Sequence, residues 1–190
     1  MLVLATPTNP GTAAFVATTA LGSAVTQIAS SSGQSVNSST LAAQTLVSMP
    51  VAAGLMNAVG NTLRFWTTLK CSATDGVVTV TITYMLGGNT IATVGPTLPN
   101  ATGKIQMLDI TLRTVTAGAA GRLDAVGYVS GTIFGATANV NSLTPQVILS
   151  PVDLTAALDA QVLITFSAIT VPATDNAVLN EVGLVQLGVA

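Results

Sequence analysis

The sequence predicts an all-β chain: an antiparallel two-sheet sandwich with eight strands in jelly-roll order, preceded by an extended N-terminal arm. Three observations carry this. Apolar and polar residues alternate with a period of two along successive segments; in 77–85, Val78, Val80, Ile82 and Tyr84 share one face and Thr79, Thr81 and Thr83 the other. Turn clusters separate these segments, among them Asp75-Gly76 and Gly87-Gly88-Asn89, residues that accept positive φ at little cost. No stretch offers a convincing amphipathic helix, and 155–159 has room for a single turn.

Residues 1–43 form the arm. They carry no charge (the first is Arg64) and are rich in Ala, Thr, Ser and Gly, with a polar run SSSGQSVNSST at 30–40. Strand-like pieces at 14–19 and 24–29 flank Leu21-Gly22-Ser23. Low complexity points to disorder, whereas the lack of solvating charge favours an arm that orders by adding strands to a neighbour.

Residues 44–190 form the sandwich. Strands are expected at 44–51, 61–71, 77–85, 90–94, 104–115, 122–134, 160–169 and 177–189, with a short one at 146–150. In 104–115, Leu108, Ile110 and Leu112 share one face; in 160–169, Val162, Ile164, Phe166 and Ala168 point inward. Gly127 and Gly131 interrupt the sixth strand and predict bends or bulges. Eight strands, mixed lengths and a long loop before Ala160 suit Greek-key crossings between two sheets, hence a jelly roll. An immunoglobulin-like sandwich is the other candidate, but its Cys…Trp…Cys pattern is absent.

Composition narrows the function classes. Of 190 residues, 49% are hydrophobic but only 6% charged, against roughly 25% in an ordinary soluble domain. Such a surface is covered by other chains or by uncharged polar side chains. With a net charge of −2 and five basic residues, Arg64, Lys70, Lys104, Arg113 and Arg122, no nucleic-acid partner is expected. No apolar run reaches the roughly 18 residues of a spanning helix, so no membrane partner is expected either. The start MLVLATPTNP lacks the basic region of a signal peptide. Cys71 is alone and sits in an alternating strand, where it reads as a small buried hydrophobe in a reducing cytoplasm.

Chemistry is poorly supplied. The absence of His removes the usual triads, zinc sites and the commonest general base. Asp153 with Asp159, and Asp175 with Glu181, are the carboxylate pairs nearest in sequence; a glycosidase needs two across a cleft. Asp153 and Asp175 read as turn residues, and a calcium site at Asp153 or Asp159 would be thin in ligands. The reading is therefore no enzyme, with no catalytic, cofactor-binding or metal-binding residue and no cofactor. Trp66 and Tyr84 are the aromatics that invite a sugar-binding reading, but Trp66 follows Phe65, so one of the two faces inward and core or interface packing is favoured. Arg64, Asp109, Arg113, Arg122 and Asp124 are positioned for ion pairs between strands or subunits.

Several local features resemble a jelly-roll domain common in tailed-phage structural proteins, the capsid decoration or cement family. They are the strand ending at Pro50, the run Gly60-Asn61-Thr62-Leu63-Arg64, the turn from Gly87 to Ile91, the strand ending in Arg113-Thr114, and Ala125-Val126-Gly127. The tail DAQVLITFSAITVPATDNAVLNEVGLVQLGV is similar to that family's last two strands, so the resemblance covers roughly 44–190. It implies a homotrimer bound to the major capsid protein on the outside of the virion head, stabilising the shell after assembly in the bacterial cytoplasm. A receptor-binding knob of a phage fibre or tail is the alternative, and a structural domain outside phages a third.

Overall fold

In a computed structural model the chain is built from antiparallel strands. The structure describes residues 26–31, 33–73, 78–94, 101–131, 139–142, 147–170 and 176–187. Twelve strands lie among them: β1 (Thr26–Ser31), β2 (Ser35–Asn37), β3 (Gln44–Val51), β4 (Thr62–Ala73), β5 (Val80–Leu86), β6 (Asn89–Val94), β7 (Ala101–Thr116), β8 (Gly121–Gly131), β9 (Asn139–Ser142), β10 (Val147–Val152), β11 (Leu158–Phe166) and β12 (Asn176–Leu187). The larger, eight-stranded sheet runs β1-β12-β4-β7-β8-β10, with β2 also on β12 and β9 on β8; the smaller runs β3-β11-β5-β6.

The two-sheet antiparallel sandwich is as expected, but its strand order is not that of a jelly roll. Jelly-roll connectivity would set the first and last of the eight main strands side by side. Here β3 and β12 lie in different sheets, and β12 joins β4. Turn chemistry gives the reason. Gly87 and Gly88, at φ 54 and 79, close a two-residue turn between the paired residues Leu86 and Asn89. So short a link cannot span the roughly 10 Å between stacked sheets, and it holds β5 and β6 as neighbours. The β7–β8 connection likewise keeps its two strands paired in one sheet.

Alternation decides the core. From β4, Leu63, Phe65, Leu69 and Cys71 point inward, joined by Leu108, Ile110 and Leu112 of β7, Leu123 and Ala125 of β8, and Val182 and Leu184 of β12. They meet Val80, Ile82, Tyr84 and Leu86 of β5 and Val162, Ile164 and Phe166 of β11. Burying each large side chain is worth about 1.5–3 kcal/mol. Phe65 and Tyr84 meet edge to face across the sheets, centroids 6.3 Å apart at 75°, the geometry that aromatic quadrupoles favour. Tyr84 is therefore a core residue and not a sugar platform. Ala168 is only partly buried against this core.

Other details differ from the sequence expectation. β9 lies within the long loop expected before Ala160, and β11 already begins at Leu158. Gly127 is no bulge: it pairs in unbroken register with Ile110, and a Cβ there would stand 2.2 Å from the Asp109 carbonyl oxygen. The β7–β8 shift falls between Thr114 and Thr116. Within the expected arm, β1 pairs with β12 from Thr26↔Gln186 to Ser31↔Val182, and β2 pairs with the start of β12. That part of the arm extends its own chain's sheet. The strand-like piece at 14–19, the Leu21-Gly22-Ser23 turn, Asp75-Gly76 and Asp175 lie outside the described residues.

Candidate functional site

Wherever a strand of the large sheet buries one face, register fixes what stands on the other. Tyr128 of β8 pairs with Asp109 of β7, Asp109 with Trp66 of β4, and Trp66 with Gly183 of β12. These four residues make one row across the outer face. In the adjacent row Val126 pairs with Thr111, Thr111 with Arg64, and Arg64 with Val185. Strands about 4.8 Å apart thus bring together residues that are 15 to over 100 positions apart in the chain.

Arg64 reaches diagonally to Asp109. Its Nε donates to Oδ1 at 2.9 Å and its Nη2 to Oδ2 at 2.5 Å. This two-bond geometry holds the guanidinium in one plane. The hydrogen bond to Asp109 raises the Arg64 pKa above its ordinary value, partial desolvation opposes the rise, and the Asp109 and Tyr128 charges add to it. The guanidinium carbon lies 5.4 Å from the centroid of the half-buried Trp66 ring, a cation–π distance. The ring also lies over Gly183 of β12, where a Cβ would stand 2.0 Å from Trp66 Cζ2.

Further along the face, Arg122 Nε donates to Asp124 Oδ1 at 2.8 Å and Nη2 to Oδ2 at 3.2 Å. Both pairs come from the set singled out in the sequence. Arg113 and Lys70 are exposed and make no ion pair among the described residues. Around the pairs stand Ile105, Met107 and Val115 of β7, Val126 and Tyr128 of β8 and Ile148 of β10, each between 38% and 54% exposed. Six of the nine exposed large hydrophobics among the described residues are thus on this face. The sequence reading missed them individually. Their signal was present as aliphatic residues at the outward phase of otherwise alternating strands.

The remaining candidates are dispersed. Asp153 accepts hydrogen bonds from the Thr155 amide at 3.0 Å and hydroxyl at 2.6 Å. These bonds lower its pKa and commit it to its own turn. Asp159 stands exposed on β11. No group of three or more His, Cys, Asp or Glu that could hold a metal occurs among the described residues. Cys71 is buried, and desolvation pushes its thiol up to about 12. What the outer face offers chemically is adhesion: large apolar surface, Trp, Tyr, Met and Arg, four charges neutralised in two pairs, and Lys70 and Arg113 left unpaired among the described residues.

No protein-family model and no curated protein matches the sequence. Among solved structures, a chain from the structure of infectious bursal disease virus Gx strain aligns with 87% of this chain at 14% identity and a TM-score of 0.34; this chain spans only 32% of its length. The CBM2 module of Lactobacillus casei BL23 phage J-1 evolved Dit aligns with 96% of this chain and 84% of its own, at 10% identity and a TM-score of 0.31. Likenesses this distant bear on neither topology nor function.

Proposed function

We propose that this chain is a virion structural protein without catalytic activity: a homotrimeric decoration or cement protein. It binds the major capsid protein on the outside of a tailed-phage head and stabilises the shell. The observation that carries the reading is the pairing of a 6% charged composition with an outer sheet face of exposed large hydrophobics. A surface of that kind calls for partners. The sequence resemblance over roughly 44–190, which the strand order does not share, is what points to those partners. Weak contacts suffice, because a trimer touching several capsid subunits gains through effective concentration.

The test is copy number per virion, by quantitative mass spectrometry against the major capsid protein. A ratio near one, or a simple fraction, supports decoration; a handful of copies overturns it. A chain beginning at Leu41 lacks β1 and β2 of the large sheet; it should melt lower but still fold and trimerise, and bind shells more weakly. Equal binding would remove the arm from the mechanism.

The alternative, a receptor-binding knob of a fibre or tail, is favoured by one observation: Trp66 and Tyr128 stand outward in the same row. Glycan binding lost in Trp66→Ala, together with low copy number, would establish it.

A further inference from the structure

We infer that the outer face of the large sheet docks onto a second copy of this chain, head to tail rather than face to face. The inference rests on the self-assembly part of the reading above and names its surface. Three properties of the face carry it.

Its composition is that of an interface core. Trp66, Tyr128, Met107 and Arg64 stand among Ile105, Val126 and Ile148. Aromatic residues, Met and Arg are enriched where proteins meet, while unpaired charges are depleted there. The Arg64–Asp109 and Arg122–Asp124 pairs are closed within the sheet, so covering them leaves no lone charge behind.

Its size fits. From Ile105 to Val115, and across five strands from β12 to β10, the face measures about 34 by 19 Å at standard strand spacings. That is roughly 650 Å² in plan, close to the ~800 Å² per partner of a stable interface.

Its remaining charge selects the geometry. The cations without an ion pair, Lys70 and Arg113, stand exposed on the strands of this sheet. The exposed acids without an ion pair are Asp153, in the loop after β10, and Asp159, on β11 of the other sheet. All of this is among the described side chains. A face-to-face dimer would offer Lys70 and Arg113 no unpaired acid among the described side chains, because Asp109 and Asp124 are already paired and Asp153 and Asp159 lie off this face. A head-to-tail contact sets Lys70 and Arg113 toward Asp153 and Asp159, and a head-to-tail contact that closes makes a ring such as a trimer.

The experiment is native mass spectrometry with light scattering on the full chain, free of capsid. The wild type should form a closed oligomer. Met107→Lys and Val126→Lys, both at exposed positions, should each weaken association at least about tenfold, with circular dichroism and melting unchanged. Arg113→Glu should weaken it too, and adding Asp153→Lys and Asp159→Lys to that chain should restore it. A monomeric wild type, or lysine variants that associate normally, overturns the surface. Failure of the charge swap to restore association overturns the head-to-tail geometry. Stoichiometric copies on virions with no association in solution would sink this inference and leave decoration standing; the reverse pattern would do the opposite.

Discussion

The indole of Trp66 occupies the space that a side chain at position 183 would fill. An ideal Cβ on Gly183 would lie 2.0 Å from Cζ2 and 2.4 Å from Cη2. The glycine therefore lets the ring lean across β12 while Arg64 approaches it. Gly183→Ala should push the half-exposed ring outward. The expected loss is about 1 kcal/mol, the low end for overpacking because the ring has somewhere to go. Trp66 is the only tryptophan, so a red-shifted emission reports the displacement directly. In a Trp66→Ala background the alanine at 183 should no longer destabilise.

Gln106 is fully buried, with Nε2 donating to the Met107 carbonyl at 3.1 Å and Oε1 without a partner. A buried acceptor left unmade costs about 1–3 kcal/mol. Gln106→Met keeps the length and removes the acceptor, so the chemical-denaturation midpoint should rise. A lower midpoint would mean that Oε1 is satisfied in solution.

Cys71 predicts an alkaline limit. Burial raises its thiol from the ordinary 9.0 to about 12. Below pH 9 native and unfolded states hold the same proton, and stability does not change on its account. Between pH 9 and about 12 only the unfolded thiol ionises, so stability falls, by at most about 1.4 kcal/mol per pH unit. Tyr84, also raised by burial, adds to the fall above its ordinary 10.0. Cys71→Ala should flatten the profile between pH 9 and 10, and iodoacetamide at pH 8 should label the thiol only after denaturation.

Arg64 and Asp109 are joined by two hydrogen bonds but stand partly in solvent, with side chains 48% and 20% exposed. Asp109→Asn should therefore cost only about 0.2–1 kcal/mol. The difference should shrink in 1 M salt, where charges are screened within about 3 Å. Thermal melts of the two proteins at low and high salt decide it.

Much of the fold is legible residue by residue. The alternations in 77–85, 104–115 and 160–169 named inward faces that are buried from Val78 to Phe166, since a period of two leaves no freedom about which side a residue takes. Gly87-Gly88 was legible as a turn for the same local reason. β1 was partly legible, since the strand-like piece at 24–29 overlaps it, whereas β2, only three residues long, carries too little pattern to read. The ion pairs were legible as a set of charges, but not as partners. Arg113 and Asp124 face each other in register, yet Asp124 bonds Arg122 on its own strand.

By itself the sequence determined the longer strands, the faces buried in 77–85, 104–115 and 160–169, the hairpin at Gly87-Gly88 and the scarcity of charge, because each follows from a few adjacent residues. Only the tertiary structure decided that β12 joins β4 rather than β3, and that Tyr128, Asp109, Trp66 and Gly183 form one row. Strand order and register are set by which distant edges pair and how far they slide, and those choices depend on the packing of both sheets at once.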